Sequence, residues 1–175
     1  TGRSTTVYWA TRGLAKTSSR RAHAQLYDWA EGSRRGLKLA AIDALGEVRS
    51  DEALEVLTRQ SISSDIEVQR RVLGAAGTMS TAGAVALVLE MADAGNRQIR
   101  LAALRGMPRT LTTSQQEWLM DVLTANDPAC ASLAAEALGR ARAHDALPLL
   151  LDAAEGGNVE LRRGAVRGLS ALGGD

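Results

Sequence analysis

The chain repeats itself at a fixed interval of 31 residues. Copies begin at Arg35, Ile66, Arg97, Pro128 and Val159, the last of them a half copy, and no insertion interrupts them. A constant period of this size marks an array of small supersecondary units, because one unit alone cannot bury its apolar face and must stack on the next. Such an array needs no central globular core. Its residues are read as columns of equivalent positions rather than as single motifs.

The third column holds Leu37, Val68, Ile99, Cys130 and Leu161, and the seventh holds Ala41, Val72, Ala103, Ala134 and Ala165. The eleventh holds Leu45, Ala76, Met107, Leu138 and Leu169. Steps of four place these on one face of a helix, so each copy opens with an amphipathic helix, termed A. The tenth column is small throughout (Ala44, Ala75, Gly106, Ala137, Gly168), which lets neighbouring helices approach closely. A second apolar run in each copy predicts a shorter helix, termed B. Its buried stripe takes Val56, Leu87, Trp118 and Leu149, then Leu57, Val88, Leu119 and Leu150. The last column alternates Asp65, Asn96, Asp127 and Asn158 just ahead of the next A helix. Such side chains accept hydrogen bonds from the free N–H groups of a first turn. Ser50 and Thr112 or Thr113 are placed to do the same for B helices. Pro108 stands where sibling copies have Gly46, Gly77 and Gly139. It removes a donor and restricts the residue before it, so that A helix should end or kink there.

The stretches "LKLAAIDALGEV…DEALEVL", "LAALRGM" and "ASLAAEALGRARAHDALPLLLDA" resemble the HEAT repeat family, in the short bacterial form also called PBS-lyase HEAT-like. The resemblance spans residues 35–172 and is weakest in the copy carrying Pro108. It implies a right-handed solenoid with A helices on the convex side and B helices on the concave side. The expected fold class is therefore all-α: a right-handed α-solenoid (α-α superhelix) of about five HEAT-like helical pairs, the last one incomplete. The family implies no single function. Two of its enzyme classes stand as alternatives by resemblance: an alkylpurine DNA glycosylase-like protein holding DNA in its concave groove, and a bilin-lyase-like subunit handling chromophores.

Residues 1–33 read as a degenerate N-terminal capping repeat or an arm, ahead of HEAT-like repeats over 35–175. Shifting the register back places Ala10, Gly13 and Leu14 in the seventh, tenth and eleventh columns, with Leu26 in the column of Leu57. Helices are expected over residues 7–15 and 21–30, against an extended arm suggested by the strand formers in "STTVYW". Trp9, Tyr27 and Trp29 are expected to close the open end of the core, an exposed aromatic docking patch being the sharper alternative. At the other end, Leu161, Ala165, Val166 and Leu169 on the last A helix are expected to leave apolar surface open. That predicts self-association through the C-terminal end or a continuation beyond it.

Composition narrows the chemistry. The net charge of +1 gives no overall pull toward nucleic acid or an anionic membrane. One cysteine excludes an internal disulfide and a multi-cysteine metal site, and Cys130 reads as a buried structural thiol. No run is long and apolar enough to span a membrane, and no signal peptide is visible, so a cytoplasmic location is the default. His23 and His144 lie far apart and lack ligand spacing. There is no Gly-rich phosphate loop after a strand and no serine in a nucleophile elbow. No catalytic residue, metal ligand or cofactor is expected, and the expected function is not enzymatic.

Charge carries the functional signal. The A helices hold twelve bases (Arg35, Lys38, Arg70, Arg71, Arg97, Arg100, Arg105, Arg109, Arg140, Arg162, Arg163, Arg167) against five acids (Asp43, Glu47, Glu67, Glu136, Glu160). The B helices reverse this, with ten acids against Arg59 alone. Helix dipoles favour acids in a first turn, which accounts for Asp51, Glu52 and Asp145. It does not account for Glu90, Asp93, Asp121, Asp152 and Glu155, which fall late in their helices. An acidic groove and a merely solvated face both fit this pattern. On the first reading the site is Glu55, Glu90, Glu117, Asp121, Asp152 and Glu155, with Trp118 excluded because its column siblings mark it as core. The partner is another protein presenting a basic segment, drawn in by the negative potential. The rival class is a nucleic-acid binder using the basic A face with Arg3, Arg12, Arg20 and Arg21.

Overall fold

A computed structural model describes residues 2–174, with side chains from residue 5 onward. Eleven α-helices follow one another: α1 (Gly2–Ala15), α2 (Arg20–Glu31), α3 (Arg35–Val48), α4 (Asp51–Ser61), α5 (Ile66–Met79), α6 (Ala82–Ala94), α7 (Arg97–Arg105), α8 (Thr113–Thr124), α9 (Pro128–Arg140), α10 (Leu147–Gly156) and α11 (Val159–Gly173). One 3-10 turn, His144–Ala146, leads into α10, and no strand occurs among the described residues. Odd-numbered helices are the A type and even-numbered ones the B type. The extended-arm alternative for the N-terminus does not hold, because α1 and α2 cover it with helix. Arg3 and Asp175 lie outside the residues whose side chains are described.

The chain divides into two compact units, Thr1–Ala94 and Gly95–Asp175. In the first, α1, α3 and α5 pack side by side in one layer and α2, α4 and α6 in a second. In the second, α7, α9 and α11 form one layer, and α8 and α10 form the other. Within each unit, helical pairs in two layers with each pair packed on the next are the packing of an all-α solenoid.

The last repeat column starts every A-type helix from α5 onward. Asp65, Asn96, Asp127 and Asn158 are the N-caps of α5, α7, α9 and α11, each accepting from first-turn N–H groups. Thr112 rather than Thr113 caps α8, in a reciprocal box with Gln115. The alternation of acid and amide in this column has a partner. Arg35 grips Asp65 with two bonds of 2.8 and 3.3 Å, and Arg97 grips Asp127 with two of 2.7 and 3.1 Å. The copies that end in Asn96 and Asn158 begin with Ile66 and Pro128, and a neutral cap needs no cation. Pro108 acts as expected: α7 stops at Arg105 after 9 residues, against 13 in α9 and 15 in α11.

The column core is largely as the spacing predicts. All five seventh-column residues are buried, as are Val68, Ile99 and Cys130 of the third column and Leu45, Ala76, Met107 and Leu138 of the eleventh. Three expectations need correction. Trp9 does not close the core: it is 64% exposed, standing edge-on to Tyr8 on the outer side of α1. Tyr27 and Trp29 are half-buried. Trp118 is half-buried, not core, as is its column sibling Leu149, whereas Val56 and Leu87 of the same column are buried. Of the four apolar residues expected to lie open on the last A helix, Ala165 is fully buried and Leu161 and Leu169 are half-buried, since α11 packs on both α9 and α10. Val166 alone of the four is exposed, at 58%.

Small residues set the spacing of the A layer. A methyl group on Gly139 would strike the backbone of Gly168, one on Gly164 would enter Ser132, and one on Gly46 would meet the carbonyl of Ala75 at 2.7 Å. Backbone cannot yield as a flexible side chain can, so these helices touch at glycine by necessity. Gly106, by contrast, is exposed and caps α7, so the tenth column is not a contact in every copy.

Two predictions follow from caps and glycines. Gly139→Ala should destabilise by about 1–3 kcal/mol through overpacking. Gly74→Ala, in mid-α5 with open space around it, should gain about 0.4–1 kcal/mol, and urea denaturation reads both. The Arg97 guanidinium holds the Asp127 carboxyl well below the usual carboxylate range. A carboxyl depressed in the folded state stabilises fully above its unfolded value, about 3.9, and that contribution is lost as pH falls through and below it. Asp127→Asn keeps the cap and removes the titration, so it should flatten the fall in melting temperature between about pH 5 and pH 2. Its cost at pH 7 should be under about 1 kcal/mol, and Asp127→Ala, which also loses the cap, should cost about 1 kcal/mol more.

Candidate functional site

All six carboxylates singled out from the sequence are exposed. In the first unit Glu55 lies on α4 and Glu90 on the adjacent α6. In the second unit Glu117 and Asp121 lie on α8, and Asp152 and Glu155 on the adjacent α10. Their solvent-facing positions follow from the helical period, since Ala53, Val56 and Leu57 of α4, or Leu119, Val122 and Leu123 of α8, take the buried side.

The acids of the two helix types differ in their partners. On A-type helices Asp43 is held by Arg71, Glu67 by Arg71 at 2.9 Å, Glu47 by Arg12 at 2.6 Å and Glu136 by Arg167. Burial pushes the Asp43 carboxyl up despite the pull of Arg71. On B-type helices Glu55 has a long contact of 3.9 Å to Arg59. Arg59 is itself engaged by Glu31 at 2.7 Å. Among the described residues Glu90, Glu117, Asp121, Asp152 and Glu155 have no basic nitrogen within 4.0 Å. Helices α6, α8 and α10 contain no Lys or Arg at all. Like charges without a counter-charge raise the local negative potential and await one from outside.

The second unit adds apolar surface that the repeat columns conceal. Leu147 and Leu151, one helical turn apart on α10, are 39% and 47% exposed. Trp118, half-buried, neighbours Glu117 in sequence and lies three residues from Asp121 on α8. A run of three leucines gave a hint, because one face of a helix cannot bury them all. For Trp118 the only signal was its rarity in a chain with 3% aromatic residues.

The outer face of the A layer is built differently. In the second unit Arg97, Arg105, Arg163 and Arg167 line an open groove of about 760 Å³ together with Glu136 and Glu160. In the first unit the corresponding hollow, about 580 Å³, is lined by Tyr8, Leu39 and Ala40 with the mutually paired Asp43 and Arg71. Of the N-terminal bases, Arg12 is tied to Tyr8 and Glu47, whereas Arg20 and Arg21 are exposed. Cys130 is buried in the core, and burial pushes its thiol up. No group of three or more His, Cys, Asp and Glu is placed to hold a metal among the described residues. No helix there is long and apolar enough to cross a membrane.

In sequence no protein-family model and no curated protein matches this chain. Its backbone is similar to solved helical-repeat structures. An engineered protein matches 97% of this chain and 91% of its own at TM-score 0.54 and 19% identity. Computationally designed armadillo repeat proteins for modular peptide recognition match 95% of this chain and 90% of theirs at TM-score 0.53 and 14% identity. Human deoxyhypusine hydroxylase, solved in complex with glycerol, matches 97% of this chain and 80% of its own at TM-score 0.53 and 16% identity. At such identities the likeness establishes the helical-repeat fold alone.

Trp118 offers a built-in reporter. In a Trp9→Leu/Trp29→Leu background, a Lys/Arg-rich peptide that docks beside Glu117 and Asp121 should shift or quench the remaining indole emission saturably. An unchanged spectrum at saturating peptide would place any binding elsewhere.

Proposed function

We propose that this protein is a non-enzymatic binding module, a HEAT-like scaffold that takes a basic segment of another protein on the carboxylate-bearing faces of its B-type helices. The observation that carries the reading is the unequal pairing of acids. Those on A-type helices are mostly neutralised within the fold, whereas Glu90, Glu117, Asp121, Asp152 and Glu155 on α6, α8 and α10 have no basic nitrogen within 4.0 Å among the described residues. In the second unit Leu147, Leu151 and Trp118, on the same helices as Glu117, Asp121, Asp152 and Glu155, supply the apolar contact that charge alone does not give, and tryptophan is enriched where binding energy concentrates. A lysine or arginine of the partner also gains from the face of the Trp118 ring. Backbone likeness to armadillo proteins designed for peptide recognition supports a peptide-binding use of such a scaffold. Catalysis forms no part of this reading.

Electrostatic steering acts on association more than on affinity. Each exposed pair contributes about 0–1 kcal/mol, so single substitutions should barely register. Glu90→Lys, Asp121→Lys and Asp152→Lys together should slow association with a Lys/Arg-rich peptide at least about tenfold at low ionic strength. Helicity and melting temperature should stay close to the parent's, since all three side chains are exposed. Stopped-flow mixing measures the rate. A triple variant that associates as fast as the parent would reduce these faces to solvated surface.

A further inference from the structure

The arginine-lined groove in the second unit belongs to the opposite layer and is untouched by the reading above. It arises from repeat columns one, five and nine, which lie two helical turns end to end on one side of each A-type helix. On α9 that side presents Ala129, Ser132 and Leu133 as a mostly neutral floor, closed at one end by Glu136, which Arg167 holds. On α7 it presents Arg97 and Arg105, and on α11 Arg163 and Arg167, so the walls are long and cationic. Arg97 is fixed on Asp127 and Arg167 on Glu136. Arg105 and Arg163, one from each wall, have no carboxylate within 4.0 Å among the described residues.

We propose that this groove binds an acidic, extended peptide segment of a partner protein, lying along α9 between the two arginine walls. The length fits, since eight residues from Arg97 to Arg105 span about 12 Å of helix, or about four residues of extended chain. The chemistry favours a peptide over a nucleic acid. Glu136 and Glu160 lie in the same groove and repel a continuous phosphate backbone, whereas a peptide places its carboxylates only where the arginines stand. Leu101, Leu133 and the 55% exposed Val159 give the groove apolar contacts that a peptide side chain uses and a phosphodiester does not. The first unit serves as an internal contrast, because its outer face sets Arg71 between Asp43 and Glu67 and leaves that cation satisfied.

The test is fluorescence anisotropy of the full chain with a labelled peptide, Glu-Glu-Leu-Glu-Asp-Leu-Glu-Glu, at low and moderate salt. A labelled DNA duplex of about 20 base pairs is run in parallel. The parent should bind the peptide saturably. Arg105→Glu/Arg163→Glu should weaken that binding at least about tenfold. Both side chains are exposed, so circular dichroism and melting should confirm an intact fold. Arg20→Glu/Arg21→Glu, equally exposed on α2 of the first unit and not part of the groove's lining, should stay within about twofold of the parent. Reversing the B-helix acids should leave peptide binding intact, which separates this groove from the proposed B-helix site. The proposal is overturned by lack of saturable binding to the parent, by equal loss in the two double arginine variants, or by DNA binding tighter than the peptide with the same dependence on Arg105 and Arg163.

Discussion

The closeness of neighbouring A-type backbones is the constraint on which each unit depends. Gly139 meets Gly168, Gly164 meets Ser132 and Gly46 meets Ala75 with no room for another carbon. Helices that touch at backbone cannot slide or rotate without collision, so their registers lock. Residues of one column are then held side by side in successive copies. A column is thereby turned from a pattern in the sequence into a row on a surface, and this is how three separated helices build one groove floor and two walls in the second unit.

Electrostatics follows the same columns. The first position of one copy and the last position before the next are brought together by the stacking, and they are matched by charge. Arg35 serves Asp65 and Arg97 serves Asp127, while Ile66 and Pro128 open the copies that close with neutral Asn96 and Asn158. A charged cap exposed without a cation is still a good cap, so the arginine is no requirement of helix initiation. It ties consecutive copies across the layer and consumes part of the basic excess of the A helices. The remaining A-layer acids are largely consumed in the same way. In the B layer α6, α8 and α10 contain no Lys or Arg, and Glu90, Glu117, Asp121, Asp152 and Glu155 have no basic nitrogen within 4.0 Å among the described residues. A net charge of +1 conceals this division, because the sum over a chain carries no information about which layer a charge occupies.

Much of the fold was legible because it is local and repeated. The 31-residue period gave the order of the helices, most of the buried columns and the A-helix caps, since each is set by spacing within one copy and repeated in its siblings. Pro108 likewise shortened α7 through its own ring and missing donor. The exposure of the six candidate carboxylates was also legible, as the far side of an amphipathic period. Where reading by columns failed, it failed on surroundings. Trp118 and Leu149 share a column with the buried Val56 and Leu87, yet both are only half-buried in the second unit. Trp9 had the composition of a capping residue and yet faces solvent. Ala165 looked available on an end helix and is sealed in the layer contacts of α11.

The sequence by itself determined that this chain is a stack of helical pairs, which residues cap most of its A-type helices, and that its two helix types carry opposite charge. These depend on interactions within about one turn or one repeat, and a single chain states them several times over. The tertiary structure alone decided which charges are paired within the fold and which are not. It also decided which glycines are contacts and which are spare, and that Arg105 and Arg163 share one groove. Those outcomes depend on distances of a few ångströms between residues some 30 or more positions apart, and such distances exist only after the helices have packed.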